Sequence, residues 1–211
     1  MEGSNYESAS AQKPTLIVPD KDADGLSSGV IIHRTLVKLG LDPKLLDVHL
    51  VGKGSNIHVK DERKLMLEKR PNFVIVLDQG SRGGPPIIDD DEAKSLLIDH
   101  HLSDDFPKDA QVSPSLATEF NGLTLFQVVS ACHFPPVATT ALATYEICKE
   151  VDSGIAQDCA YLCAIGTHGD LGTSLKWEPP FPDMTETFKK YGKKTINDCV
   201  SYLNARRFFT T

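Results

Sequence analysis

The sequence predicts an α/β fold, in which a parallel β-sheet is flanked by helices and followed by a helical C-terminal segment. Two observations predict it. Short apolar runs suited to buried strands alternate with stretches that repeat apolar residues at helical spacing. Several of the apolar runs lead directly into an aspartate, as at Asp20, Asp78 and Asp99. Because ligands bind at the carboxyl ends of parallel strands, these acids mark the expected functional edge of the sheet.

The elements follow in order along the chain. We expect strands at residues 15–18, 45–51, 73–77 and 95–98, and helices at residues 25–38 and 61–70. Gly40 ends the first helix and Pro71 ends the second. Residues 106–126 show no clear period. Helices are predicted at residues 138–151 and 156–166, with residues 166–170 as a flexible polar end, and two closing helices at residues 185–191 and 194–208.

The length of 211 residues allows one large domain with a real core. Residues 1–13 are predicted to form a flexible tail and residues 14–174 the α/β domain. Residues 175–211 are predicted to form a proline-rich linker and closing helices, which lead towards a second domain outside this sequence.

Composition narrows the class of protein. The formal net charge of -7 argues against a protein that coats nucleic acid, although carboxylates gathered around metal ions are included in that sum. No apolar run is long enough to cross a bilayer, and the first dozen residues lack the pattern of a secretory signal. The five cysteines contain no Cys-x-x-Cys pair, which is typical of small core residues in a reducing compartment. We expect an intracellular, cytoplasmic protein, with a nuclear location left open.

Four segments carry acids and imidazoles. The candidate metal ligands are Asp20, Asp22, Asp24, Asp78, His100 and Asp170. Carboxylate oxygens suit divalent cations, and one or two imidazoles shift the preference from magnesium or calcium towards manganese. Two such ions, about 3.5–4 Å apart, activate a water for attack on phosphorus. An EF-hand calcium loop starting at Asp20 is excluded, because its twelfth position is Ile31 rather than glutamate.

Each of these residues has an ordinary alternative. A histidine at a strand end is more often a hydrogen-bonded core residue than a ligand, and the repetition of apolar runs ending in aspartate is what favours a site. Arg82, in a glycine-rich loop after Asp78, is a candidate phosphate contact or a solvated surface charge. His168 is a candidate ligand, a phosphate contact or a loop hydrogen bond.

Taken together, residues 20–25, 77–81, 99–101 and 166–170 resemble, in this order, the motifs of the DHH phosphoesterase family, whose name is the triplet Asp99-His100-His101. Within that family, the aspartate Asp20 makes this sequence more similar to the RecJ-type single-strand exonucleases and their archaeal relatives. The resemblance implies that two manganese ions are held by Asp22, Asp24, Asp78, His100 and Asp170, with magnesium as the alternative to manganese. It also implies that Asp99 orients its neighbours and that His101 faces the scissile phosphate.

The resemblance implies a manganese-dependent phosphodiesterase, most similar to a RecJ-like single-strand nuclease. A hydrolase of short oligonucleotides, cyclic dinucleotides or adenosine bisphosphate is the alternative enzyme, and a non-catalytic scaffold of a replication complex is the alternative from another class. Expected partners are single-stranded nucleic acid or a small phosphodiester, and a second domain or a second copy of the chain. The family usually adds a glycine-rich substrate-binding domain, which residues after Asp170 do not supply.

Overall fold

The structure is a computed structural model that describes residues 9–113, 126–130, 132–133, 136 and 138–209. Its strands are β1 (Thr15–Pro19), β2 (Leu46–Val48), β3 (Phe73–Leu77), β4 (Lys94–Asp99), β5 (Gln111–Ser113) and β6 (Phe126–Ser130). They form one sheet in the order β2-β1-β3-β4-β6-β5. Every pairing is parallel, which confirms the predicted fold class.

The helices cover this sheet and continue beyond it. They are α1 (Ala23–Lys38), α2 (Lys60–Glu68), α3 (Thr140–Val151), α4 (Ile155–Leu171), α5 (Thr185–Tyr191) and α6 (Lys193–Phe209), with a 3-10 turn at Pro43–Leu45. Among the described residues, no helix combines the length and the apolar character that crossing a membrane requires.

Both faces of the sheet are buried. Ile17 and Ile75 face the layer formed by α1, α3 and α4, whereas their neighbours Leu16 and Val74 face a second cluster that includes Met66 of α2. Because alternate side chains of each strand enter opposite layers, the central strands read as continuous apolar runs rather than alternating ones. This double burial is why β1, β3 and β4 were predictable from the sequence.

The order of the strands reverses beside β1. The chain passes through α1 to β2 on one side of β1 and then crosses to β3 on the other side, which opens a crevice at the carboxyl ends of β1 and β3. Hydrogen bonds continue past the strand ends here, from Asp20 N to Leu77 O (2.9 Å) and from Asp78 N to Ile98 O (3.0 Å). They hold the residues that follow these strands side by side.

Two of the predicted helix ends that were wrong lie at this crevice. Helix α1 begins at Ala23 rather than Gly25, so Asp24 is helical and Asp22 is the N-cap. Helix α4 runs through the segment predicted as a flexible end and stops only at Gly172, which has a φ of 84°. Its interior glycines resemble helix breakers in the sequence, but the packing of α4 against its neighbours maintains the helix.

Smaller differences concern the edges of the domain. Strand β2 is shorter than predicted, and strands β5 and β6 lie within or at the end of the stretch 106–126 that showed no period; residues 114–125 lie outside the described residues. Residues 1–8 of the predicted tail also lie outside them. Residues 9–12 form a helical turn in which Ala9 is buried and Gln12 donates a hydrogen bond to Gly40 O (2.8 Å).

Candidate metal centre

The acidic loop after β1 is held by its own backbone. The Asp22 side chain caps α1 and accepts hydrogen bonds from Asp24 N (3.1 Å) and Gly25 N (3.0 Å). A Cβ atom at Gly25 would lie 2.6 Å from Asp20 O, so this tight turn requires glycine. The turn brings three carboxylates to the crevice within five residues of chain.

Asp24 is fully buried and connects α1 to α3. Its two carboxylate oxygens accept hydrogen bonds from Thr140 N and Ala141 N, each at 2.8 Å, at the first turn of α3. A carboxylate is favoured at a helix N-terminus, where the unpaired amide groups carry partial positive charge. Burial, followed by the negative charge of Asp78, nevertheless raises the pKa of Asp24 well above its usual value. A proton or a cation therefore stabilises this carboxylate.

Asp78 stands at the middle of the crevice, directly after β3. Its backbone has a φ of 62°, in the left-handed region that non-glycine residues rarely occupy. The Thr140 hydroxyl donates to Asp78 Oδ1 (3.0 Å), whereas the buried Oδ2 has no hydrogen-bond partner among the described residues. Burial raises the pKa of Asp78 to about 7. A buried carboxylate oxygen without a partner is costly unless a cation occupies its free side.

The triplet after β4 places one acid behind two imidazoles. Asp99 Oδ1 accepts hydrogen bonds from His101 N (3.1 Å) and His101 Nδ1 (2.7 Å), and Oδ2 accepts from Ser81 N (3.1 Å). The hydrogen bond that His101 donates to Asp99 raises the pKa of His101 to about 9, against the effect of burial. The His101 side chain is 58% exposed, so this imidazolium faces solvent at the mouth of the crevice.

His100 turns into the carboxylate cluster. Its Nε2 atom lies 2.8 Å from Asp170 Oδ2, 3.3 Å from Asp78 Oδ1 and 3.7 Å from Asp24 Oδ2. Burial by itself lowers the pKa of His100, but the carboxylates of Asp170 and Asp78 outweigh it and raise the pKa to about 10. In the metal-free chain a proton on His100 balances the acids, so a metal ion must displace that proton in order to bind.

Helix α4 brings the last acid to the site by packing closely on α1 and α3. A Cβ atom at Gly166 would lie 2.3 Å from Ala141 Cβ and 2.8 Å from Asp24 Oδ1, and one at Gly169 would lie 2.9 Å from Ala23 Cβ. The two glycines therefore allow the close approach of the helices, and Asp170 follows one residue later with a quarter of its side chain exposed.

All six predicted metal ligands meet at the crevice, in two groups that share Asp78. One group holds Asp24, Asp78, His100 and Asp170, and the other holds Asp20, Asp22 and Asp78; within each group one candidate ligand atom per residue lies within 4.8 Å of the others. His101 also approaches Asp78 and His100 within that distance. Three carboxylates with one imidazole form a donor set that suits manganese or magnesium.

The two predicted phosphate contacts differ in their placement. Arg82 is exposed, and its Nη2 donates to Asn56 Oδ1 (2.5 Å) in the neighbouring loop. His168 is 1% exposed, its Nδ1 donates to Asn197 Oδ1 (2.9 Å), and its Nε2 accepts from Trp177 Nε1 (3.0 Å). Both nitrogens of His168 are therefore engaged within the protein. The structure does not support the predicted substrate contact at His168, and of the roles that the sequence left open the hydrogen bond is the arrangement found.

Sequence reasoning missed three residues that contact a candidate ligand or a residue beside one. Thr140 donates to Asp78, as described above. Asn204 Oδ1 accepts from Ala23 N (2.9 Å), between Asp22 and Asp24, although 181 positions separate the two partners in the sequence. Asn197 holds His168. A threonine opening a helix is a weak sequence signal for a site, and the two asparagines carry no local signal at all.

One family model matches this chain. Residues 14–167 match the DHH family, N-terminal domain. The chain belongs to the DHH family. The match spans the three strand ends of the crevice and most of α4, and it stops three residues before Asp170. A comparison with curated protein sequences gave no match.

Several solved structures share the fold of this DHH domain. RecJ from Thermus thermophilus in complex with Mn²⁺ has a TM-score of 0.53 and 20% identity, over 79% of this chain and 24% of RecJ. The DHH domain of a protein described as a member of a family of ribosomal proteins has a TM-score of 0.66 and 16% identity, over 97% of this chain and 50% of that one. CDC45 from Entamoeba histolytica has a TM-score of 0.51 and 17% identity, over 92% of this chain and 36% of CDC45.

At these identities the likeness concerns the fold. The DHH chain spans between 24% and 50% of the length of these proteins. What the larger proteins bind or do is therefore a matter for proposal, and the side chains at the crevice are the stronger guide to chemistry.

Proposed function

We propose that this chain is a metal-dependent phosphodiesterase that uses manganese and cleaves single-stranded nucleic acid. The observation that carries the proposal is the convergence of six candidate ligands from β1, α1, β3, β4 and α4 on one crevice. Acids that repel one another at such close range persist where a cation binds between them. RecJ structures described with Mn²⁺ share the fold and support the choice of this ion; Mg²⁺ is the second candidate.

The residues fit a pair of divalent ions. Asp78 belongs to both groups of ligands, and its buried Oδ2 is unpartnered within the described part of the chain. Asp24, His100 and Asp170 would complete one site with Asp78, and Asp20 and Asp22 the other. When bound, such a pair of ions lowers the pKa of a water molecule and stabilises negative charge on a phosphoryl group.

The protein's own groups prepare this chemistry. Thr140 and the first turn of α3 fix Asp78 and Asp24 by hydrogen bonds, so the ligands are ordered before metal binds. His100 releases its proton to serve as a neutral ligand. This exchange makes metal affinity rise with pH, because protons and cations compete for the same side chains.

His101 is the residue that we assign to the substrate. Asp99 holds its Nδ1, keeps the ring charged near neutral pH and leaves the outer side of the ring exposed. An imidazolium in this position can donate a hydrogen bond to a phosphoryl oxygen or a proton to a leaving group. The exposed Arg82, in the loop after Asp78, is a second group for a phosphate of the substrate.

The alternatives differ in substrate and in class. A short oligonucleotide, a cyclic dinucleotide or adenosine bisphosphate would fit the same cluster. A non-catalytic scaffold has in its favour the fold shared with CDC45, but a scaffold has no use for six convergent ligands. The intact acids therefore favour an enzyme.

An assay with added Mn²⁺ tests the proposal. Labelled single-stranded DNA, a short RNA and adenosine bisphosphate are incubated with wild type, with Asp78→Asn and with Asp47→Asn. Asp47 lies on the edge strand β2, where it pairs with Lys69, and it serves as the matched control because the charge change is the same. We expect cleavage of the single-stranded DNA by wild type and by the control, and none by Asp78→Asn.

The other outcomes separate the candidates. Turnover of adenosine bisphosphate alone would assign the small-substrate alternative. Equal rates in wild type and Asp78→Asn would mean that the crevice does not catalyse the reaction. No turnover of any substrate, with Mn²⁺ bound, would favour the scaffold.

A further inference from the structure

Two asparagines on α6 form hydrogen bonds with residues that lie close in sequence to candidate metal ligands. Asn197 Oδ1 accepts a hydrogen bond from His168 Nδ1 on α4, and Asn204 Oδ1 accepts one from Ala23 N at the start of α1. Residues that are seven positions apart in a helix lie on the same face, two turns from each other. One face of α6 is thus tied to both helices that carry candidate metal ligands.

The bond to Ala23 completes the N-terminus of α1. The first amide groups of a helix have no partner within the helix. The Asp22 side chain accepts from Asp24 N and Gly25 N, and Asn204 accepts from Ala23 N. Ala23 is 0% exposed and lies between the two candidate ligands Asp22 and Asp24. Asn204 therefore fixes the peptide segment that joins them.

The bond to His168 fixes the last turn of α4. His168 is two residues before Asp170, and Trp177 Nε1 occupies its other nitrogen. Because Trp177 Nε1 donates to His168 Nε2, the ring carries its proton on Nδ1, which donates to Asn197 Oδ1. The position of the turn that ends in Asp170 thus depends on α6.

Apolar packing holds α6 in this place. Ile196 and Val200, on the same side of the helix, are 2% and 7% exposed. They belong to one buried cluster with Ala23 of α1 and with Ala164 and Ile165 of α4. The two asparagines therefore lie beside an apolar contact at the junction of α1 and α4.

We propose that Asn204, together with Asn197, is a positioning residue of the metal centre. By holding Ala23 and His168, α6 sets the separation between the acids of α1 and Asp170 of α4, and so the affinity for the metal. This inference rests on the proposed function only for the identity of the metal. It makes α6 a part of the catalytic unit rather than a connection that follows it.

Paired substitutions separate the hydrogen bond from the volume of the side chain. Asn204→Leu keeps the branching at Cγ and removes the acceptor, whereas Asn204→Asp keeps the size of the side chain and an acceptor oxygen. Ser201→Ala is the control on the same helix, because the Ser201 hydroxyl donates within α6 to Asn197 O. Calorimetric titration with Mn²⁺ gives the affinity, and hydrogen exchange at the Ala23 amide reports the bond itself.

We expect Asn204→Leu to weaken Mn²⁺ binding about 10-fold, as loss of a group that orients ligands does, and to speed exchange at Ala23. Asn204→Asp should recover most of the affinity, and Ser201→Ala should match wild type. Wild-type affinity in a folded Asn204→Leu, or equal losses in the Leu and Asp variants, would overturn the inference. If Asn204→Leu does not fold, Asn204→Ala takes its place with the same expectations.

The same titration separates this inference from the proposed function. If Mn²⁺ binding is weakened by Asn204→Leu but wild type cleaves no substrate, the inference stands and the proposed phosphodiesterase function is rejected. If wild type cleaves substrate and Asn204→Leu binds Mn²⁺ as tightly as wild type does, the proposed function stands and the inference is rejected. A wild-type chain that binds no Mn²⁺ overturns both.

Discussion

His100 Nε2 lies 2.8 Å from Asp170 Oδ2, which joins the end of β4 to the end of α4 across the crevice. The contact brings together groups that are 70 residues apart in the sequence. In the metal-free chain it is an ion pair, and in the proposed enzyme both groups are ligands of the same ion. The exchange between these two states leads to measurable consequences.

Mn²⁺ should stabilise the fold more strongly as pH rises. The pKa of Asp78 is raised to about 7 and that of His100 to about 10, both above their values in an unfolded chain. Stability from a raised pKa is complete below the unfolded value and is lost as pH rises through the folded value. The metal-free chain should therefore lose stability from about pH 4 to about pH 10, whereas bound metal replaces the proton.

Thermal unfolding at about pH 6 and about pH 8.5 tests this, in chelator and in excess Mn²⁺. The metal should add about 2.7 kcal/mol at a hundredfold excess over Kd, because it binds the folded chain alone. The gap in Tm between the two conditions should widen at the higher pH. Identical unfolding curves in chelator and in Mn²⁺, or a Tm difference that narrows as pH rises, would contradict a protonated His100 paired with Asp170.

Asp78→Asn should separate stability from activity. The substitution removes a buried charge whose pKa is raised, so the metal-free variant should unfold at or above the wild-type Tm near pH 8. Hydrolysis should fall by at least about 100-fold, because loss of a group that only orients ligands already costs about 10- to 100-fold. Calorimetry and the cleavage assay measure the two effects, and a variant that is both less stable and fully active would refute the assignment.

Asp99→Asn should move the alkaline limb of the activity profile to lower pH. Asp99 raises the pKa of His101 to about 9, and the protonated ring is the form that donates to the substrate. Without the negative charge the pKa should fall towards its ordinary value of about 6.5, so activity should decline over a lower pH range.

The dependence of kcat/KM on pH measures this shift. Asp104→Asn is the matched control, since that carboxylate follows the same strand end but is 93% exposed and pairs with His133. Its profile should overlay that of wild type. An Asp99→Asn profile with an unmoved alkaline limb would mean that His101 does not titrate in the reaction.

Gly166→Ala should loosen the centre without altering a ligand. The added Cβ would lie 2.3 Å from Ala141 Cβ and 2.8 Å from Asp24 Oδ1, so α4 must move away from α1 and α3. Overpacking of this kind costs about 1–3 kcal/mol of stability. Urea unfolding measures that cost, and Mn²⁺ titration should show weaker binding. The exposed Gln157→Ala on the same helix should leave both unchanged, and a Gly166→Ala chain with wild-type stability would contradict the close packing.

The central strands were predictable because they are buried on both faces. The continuous apolar runs at β1, β3 and β4 indicate strands of a parallel sheet that is covered on both faces. The acids that follow these strands must then meet at one edge of the sheet. The end of α4 was not predictable in this way. Gly166 and Gly169 disfavour a helix locally, and what they provide is close contact with residues far away in the sequence.

The contacts of α6 lie beyond sequence reasoning for a similar reason. Asn204 and Ala23 are 181 positions apart, and no sequence pattern around an asparagine in a helix indicates which distant residue it contacts. His168 is a different case, because the sequence left its role open among a ligand, a phosphate contact and a hydrogen bond. It lies beside the candidate ligand Asp170, and the structure pairs its two nitrogens with Asn197 and Trp177.

Anomalous diffraction from crystals grown with Mn²⁺ is the decisive test of a two-ion centre in the crevice, because it locates the metal without reference to activity. We expect two peaks at the crevice, one among Asp24, Asp78, His100 and Asp170 and the other beside Asp20 and Asp22, with Asp78 shared. A crevice without a peak, in crystals that hold Mn²⁺ elsewhere or not at all, would contradict it.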